Sequence, residues 1–199
     1  MPPNPPAATT LARAVGLVGA VGVVLIGALA LLQTPPPGRA NRVKATGSHN
    51  ACALGPEGAL GGQFFGAINL TVDWSGNELA CDGMEKPDGG GVRLYFAGDR
   101  ADGGRLALLI GLPGRRDELA GGERPANVTV IDERDGRFFS SAGPGRCWAS
   151  IQSVTSGAGA GSRIDGLVYC VGALPSVGDR SSLTLSDLKF SGWVATRGD

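Results

Sequence analysis

Histidine occurs once in the 199 residues, as His49, and none of the four cysteines forms a C-x-x-C pair. A lone imidazole between Ser48 and Asn50 lacks the orienting partner of a Ser–His–acid relay. No G-x-S-x-G turn and no H-E-x-x-H helix is present, and "GAGAGS" lacks the G-x-G-x-x-G order of a phosphate cradle. The sequence therefore offers no catalytic, cofactor-binding or metal-ligating set. Charge of one sign is also missing where it matters. The first 44 residues hold Arg13, Arg39, Arg42 and Lys44 and no acid, while the remainder carries 14 basic and 18 acidic residues. A mildly acidic domain has no electrostatic footprint for nucleic acid.

Ala14 to Leu32 contains no charge, Pro, Asn or Asp, and as a helix it measures about 28 Å, close to the hydrocarbon thickness of a bilayer. Pro35, Pro36 and Pro37 end it. This run predicts one transmembrane helix, or the core of an export signal cleaved near Ala30, where Ala28-Leu29-Ala30 has the small-x-small pattern. The predicted organisation is a cytoplasmic tip (1–13), the span (14–32), a Pro/Gly/basic linker (33–50) and one domain (51–199). Charge counting is ambiguous: Arg13 and the amino terminus flank one side and Arg39, Arg42 and Lys44 the other, which by the positive-inside rule alone would keep the large C-terminal part in the cytoplasm. Ala12, Gly16 and Ala20 have a small-xxx-small spacing that would let two spans pack closely.

Four cysteines after the apolar run, Cys52, Cys81, Cys147 and Cys170, point to disulfides in an oxidising compartment. Three pairings are open, and Cys52–Cys81 with Cys147–Cys170 closes the shortest loops. The predicted location is the inner membrane, with the domain periplasmic or extracellular. Ala/Gly/Val/Arg-rich composition points to a bacterial envelope.

Glycine is abundant, at 34 residues, yet apolar alternation persists between the glycines, which predicts strands and turns. "AINLTVDW" alternates with period two, Ser75-Gly76-Asn77 turns the chain, and "ELACDG" returns as a hairpin partner. "RLALLIGL" is apolar on both faces and predicts a central strand covered on both sides. The 182–195 run changes phase near Ser186-Asp187, which predicts a β-bulge. The charged stretch 114–122 is the one helix candidate. The fold class expected is all-β, an antiparallel sandwich or barrel of eight to nine strands behind the N-terminal helix.

Trp148, Tyr169 and Trp193 fall out of phase with the predicted core and form a candidate binding face for a sugar or partner protein. The expected role is non-catalytic binding or assembly at the envelope, with an envelope protein or glycan as partner. Two rival roles follow from the same residues. Asp73, Glu78, Asp82 and Glu85 could serve a carboxylate-based hydrolase of envelope glycans. Cleavage of the signal would instead suit a secreted inhibitor of hydrolases.

Overall fold

A computed structural model describes residues 52–55, 57–141, 143, 145–157 and 161–195. Its strands are β1 (Ala59–Gly66), β2 (Leu70–Ser75), β3 (Ala80–Glu85), β4 (Gly91–Asp99), β5 (Arg105–Pro113), β6 (Glu123–Asp132), β7 (Arg137–Ser140), β8 (Cys147–Ser156), β9 (Gly161–Cys170), β10 (Leu174–Pro175), β11 (Ser182–Leu185) and β12 (Leu188–Ala195). The described residues are all-β. Seven strands close a barrel in the order β12–β3–β4–β5–β6–β8–β9, and β9 pairs back onto β12. All these pairings are antiparallel except β12 with β3, which meet in parallel at Ala195 and Met84.

Alternation dictates the barrel wall. In β4, Val92, Leu94 and Phe96 point inward, as do Leu106, Leu108, Ile110 and Leu112 in β5, all of them buried. Every second residue faces out, the geometry a pleated strand imposes. Two inward glycines make room for the largest rings. A Cβ on Gly192 would lie 2.8 Å from the Phe96 ring, and one on Gly166 would lie 2.8 Å from the Phe190 ring. The Phe96 and Phe190 rings meet with centroids 6.0 Å apart.

The remaining strands extend this wall. β12 bonds to β1 through Ala59–Gly61, and the far half of β1 bonds to β11. β2 pairs with β1 and with no other strand. Trp74 is buried, with its indole over Gly98. A Cβ on Gly98 would lie 2.5 Å from that indole.

Both cysteine pairs are bridged, Cys52 to Cys81 and Cys147 to Cys170, with sequence separations of 29 and 23. Cys147 and Cys170 are register partners on β8 and β9. Cys52 lies alongside Cys81 in a parallel bridge, so the second disulfide ties the chain entering the domain to a barrel strand.

Several expectations need correction. Twelve strands form where eight to nine were expected. β1 was hidden because three of its eight residues are glycine, which blurs the apolar alternation. The expected hairpin between 68–74 and 79–83 does not form. A 3₁₀ turn at Gly76–Glu78 carries the chain from β2, beside β1, to β3, beside β4. β5 is a central strand between β4 and β6, as expected, but the cover of its outer face is partial: Ala107 is buried there and Leu109 is half-exposed. At Ser186-Asp187 the chain breaks into β11 and β12 and its register against β1 slips by one residue, from Phe64↔Leu185 to Gly61↔Lys189, the irregularity the phase change predicts; a bulge not expected lies in β8, between Ile151 and Ser153. The stretch 114–122 makes only a 3₁₀ turn at Arg116–Glu118.

Among the described residues, no helix is long and apolar enough to cross a membrane. The predicted span at 14–32, the tip, the linker and the Ala12/Gly16/Ala20 spacing lie outside the described residues. His49 lies outside them as well.

Candidate ligand-binding face

Five adjoining strands, in the order β2–β1–β12–β9–β8, present their outward side chains on one surface. Asp73, Gly61, Lys189 and Leu167 stand in register across the first four of them. Asp73 and Lys189 therefore flank Gly61 on either side, with backbones about 10 Å apart, two strand spacings. Gly61 has no side chain to fill the space between them. A Cβ there would meet only Asp73 Oδ1 at 3.8 Å and the Val72 carbonyl at 3.9 Å, so the position is open, not crowded.

A cleft of about 310 Å³ follows this row, with Asp73, Gln152, Asp165, Lys189 and Ser191 on its walls and Gly61 on its floor. Such a volume falls at the lower end of small-molecule sites. Gln152 reaches it because of the β8 bulge. It is the extra residue between Ile151, opposite Gly166, and Ser153, opposite Asp165. Bulges commonly re-aim a side chain in this way. Asp73, Gln152 and Lys189 are all exposed and make no hydrogen bond or ion pair to the described protein.

Asp165 differs from these three. It accepts a hydrogen bond from Ser153 at 2.8 Å and pairs with Arg163 Nε at 3.0 Å. Arg163 also bonds Ser191 at 2.8 Å and Glu57 at 2.6 Å. Burial alone would raise the Asp165 pKa, but hydrogen bonds from Ser153, Ser191 and Arg163, with the Arg163 charge, hold it below the ordinary carboxylate value. Asp165 is thus a fixed, ionised wall.

The predicted aromatic face divides. Trp148 and Tyr169 are direct register partners on β8 and β9, both half-buried, and Tyr169 lies two residues along β9 from Leu167. They share the cleft's sheet face but lie outside its lining, on the other side of the Leu167 row from Asp165 and Gln152. Tyr169 donates a hydrogen bond to Glu123; that bond, burial and the nearby Asp187 charge raise its pKa. Trp193 does not join them. It pairs with Arg163, six residues from Tyr169 and so about 20 Å along β9. Its indole is also enclosed by the backbone of Gly55 and Gly157, where an added Cβ would lie 2.5 Å from the ring. The error was one of position along the strand, since phase gives the face and not the distance.

The four suggested hydrolase carboxylates scatter for a related reason: their expected hairpin does not exist. Asp73 faces the cleft, Asp82 the outer wall beside Tyr95, and Glu78 lies on the 3₁₀ turn. Glu85 is paired with Arg116 at 3.6 Å. Asp73 and Asp165 do share the cleft, but three strand spacings and a two-residue offset put them about 16 Å apart at the backbone. Glycosidase carboxyl pairs sit at about 5–9.5 Å. Among the described residues, no three His, Cys, Asp or Glu side chains converge to hold a metal ion.

A second polar cluster occupies the tips of the β4–β5 and β6–β7 hairpins. Asp132 is fully buried, accepts a hydrogen bond from Arg137 at 2.9 Å and lies 3.2 Å from Arg100. Arg100 also holds Asp102, and Arg134 bonds the Asp102 carbonyl at 2.9 Å.

Of the cleft residues, the sequence marks Asp73 as a carboxylate. Lys189 was legible in principle, between buried Leu188 and Phe190. Gly61 and Gln152 had no readable signal, one lying in a glycine-masked strand and the other in a bulge. No protein-family model matches the chain, and no curated protein or solved structure matches it either.

Proposed function

We propose that the protein is a non-catalytic binding domain of a bacterial envelope, tethered by its N-terminal apolar segment with the barrel outside the cytoplasm. The observation that carries this reading is the cleft over Gly61, whose lining includes Asp73, Gln152 and Lys189, side chains with no hydrogen bond or ion pair among the described residues. Exposed charges need no partner in the fold, and what marks these three is that they share one cleft. Around a side-chain-free floor they supply hydrogen-bonding capacity for a guest.

The placement rests on sulfur. Two disulfides that use all four cysteines suit an oxidising compartment. They also suit a domain that presents function on rigid strands, because crosslinks restrict the unfolded chain. The hydrolase reading has less support. The two carboxylates sharing the cleft stand too far apart for acid–base work on one bond, and Asp165 holds no proton to donate near neutral pH.

Alkylation of native material with a membrane-impermeant thiol reagent, before and after reductant, tests the placement. The reading expects no modification before reduction and four modified cysteines after it, in the membrane fraction. Free thiols in native protein would refute it.

A further inference from the structure

From the outer-face cleft we infer that the ligand is a neutral oligosaccharide lying across the strands, with one ring on the Gly61 floor and the chain running toward Tyr169 and Trp148. This deepens the binding reading above and rests on it.

Three features select a sugar. First, the cleft is built on a sheet face, not an edge. Backbone donors and acceptors of the central strands β1, β12 and β9 are engaged in pairing with both neighbours, so recognition falls to side chains. An extended peptide usually gains affinity through backbone bonds at a free edge, or through apolar anchors in pockets. The free edge among these strands is that of β2, four strands away from Trp148 on β8, so a peptide added there would not engage the aromatic pair. Second, its free groups are a carboxylate, an ammonium and a carboxamide: Asp73 and Lys189 stand about 10 Å apart at the backbone across Gly61, and Gln152 lines the same cleft from β8, two strands beyond Lys189. Sugar hydroxyls can both donate to Asp73 and accept from Lys189, while Gln152 does either. Third, the surface continues through Leu167 to the Tyr169–Trp148 pair, whose rings supply apolar area for the CH faces of a sugar.

Charge narrows the class. Asp73, Asp165, Glu57, Glu123 and Asp187 surround the path, against Lys189 and Arg163, and Arg163 is already held by Asp165 and Glu57. That acidic excess repels uronic-acid and sulfated chains. It leaves neutral glycans, N-acetylated ones included.

Because a Cβ at Gly61 meets nothing closer than 3.8 Å, Gly61→Val sets its methyls over the floor at an open backbone position, and the dispersion of the same spectrum checks its fold. The test is a two-dimensional NMR titration of the full chain in detergent with cellotetraose, chitotetraose and mannotetraose, and with a heparin tetrasaccharide as the anionic probe. The expected result is shift changes at Gly61, Lys189 and the Tyr169 strand with at least one neutral probe. Affinity should fall at least tenfold in Gly61→Val and in Tyr169→Ala, and heparin should leave the spectrum unchanged. Silence with every neutral probe, or a preference for heparin, overturns the sugar assignment. A peptide mixture that shifts the same cleft residues while the sugars do not would overturn the assignment and leave the binding face standing. Sugar-induced shifts confined to other surfaces would overturn both.

Discussion

The two polar clusters of this domain have similar residues and opposite arrangements. At the hairpin tips, Asp132 is buried between Arg137 and Arg100, and each charge has a partner inside the protein. On the outer sheet face, Asp73 and Lys189 stand apart over a glycine and have none. A buried charge must be compensated for the chain to fold, so the first cluster ties two hairpins together. An exposed charge needs no compensation to fold, and its setting reflects something other than stability. The pair teaches that partnering, more than charge count, separates scaffold from site.

Breaking the paired cluster should have the largest effect. Asp132→Asn leaves Arg100 and Arg137 facing a neutral group in a buried place, and should lower unfolding free energy by about 3–5 kcal/mol in urea titrations, with ligand binding by the folded fraction unchanged. Next comes the staple between the start of β8 and the end of β9. Replacing Cys147 and Cys170 together by alanine removes a crosslink spanning 23 residues and should lower stability by about 3 kcal/mol by the chain-entropy account.

The cleft should respond in the other direction. Gly61→Val replaces a residue of poor strand propensity at an unstrained, open position, and should raise stability by about 0.5–1 kcal/mol. The same change should abolish occupancy of the floor. Lys189→Ala and Asp73→Ala should each move the urea midpoint little, within about 0.5 kcal/mol, while weakening binding.

Asp165 sharpens the comparison through pH, since it belongs to the cleft wall yet is fully partnered. Its folded pKa lies below the unfolded value, so it stabilises the native state above the ordinary carboxylate pKa. That contribution fades as pH falls through the depressed folded value. Asp165→Asn should therefore be less stable than wild type near neutral pH, and the difference should shrink in acid. A constant gap across an acid series would show that the hydrogen bonds, and not the ionised form, carry the effect.

How far the sequence reached follows the same division. Strong alternation in 92–98, 105–112 and 147–154 made the barrel wall legible, because inward positions must be apolar at every second residue. The shortest-loop cysteine pairing is the one present, with Cys147 and Cys170 directly opposed. Pairing partners were less legible. β2 and β3 are joined by a turn that looks like a hairpin, and only long-range bonds to β1 and β4 reveal the separation. The cleft was hardest to read. It arises from register across strands distant in sequence, with Gly61 brought beside Lys189 and Gln152 displaced by a bulge. Local pattern gives the face of a side chain. It does not give the neighbour on the next strand.

The most direct test sets the two clusters against each other in one experiment: thermal unfolding of wild type, Gly61→Val and Asp132→Asn, each with and without a saturating neutral tetrasaccharide. The account predicts that ligand raises the melting temperature of wild type and of Asp132→Asn by similar amounts, while Gly61→Val, the most stable of the three alone, gains nothing. An equal ligand-induced rise in Gly61→Val would contradict it.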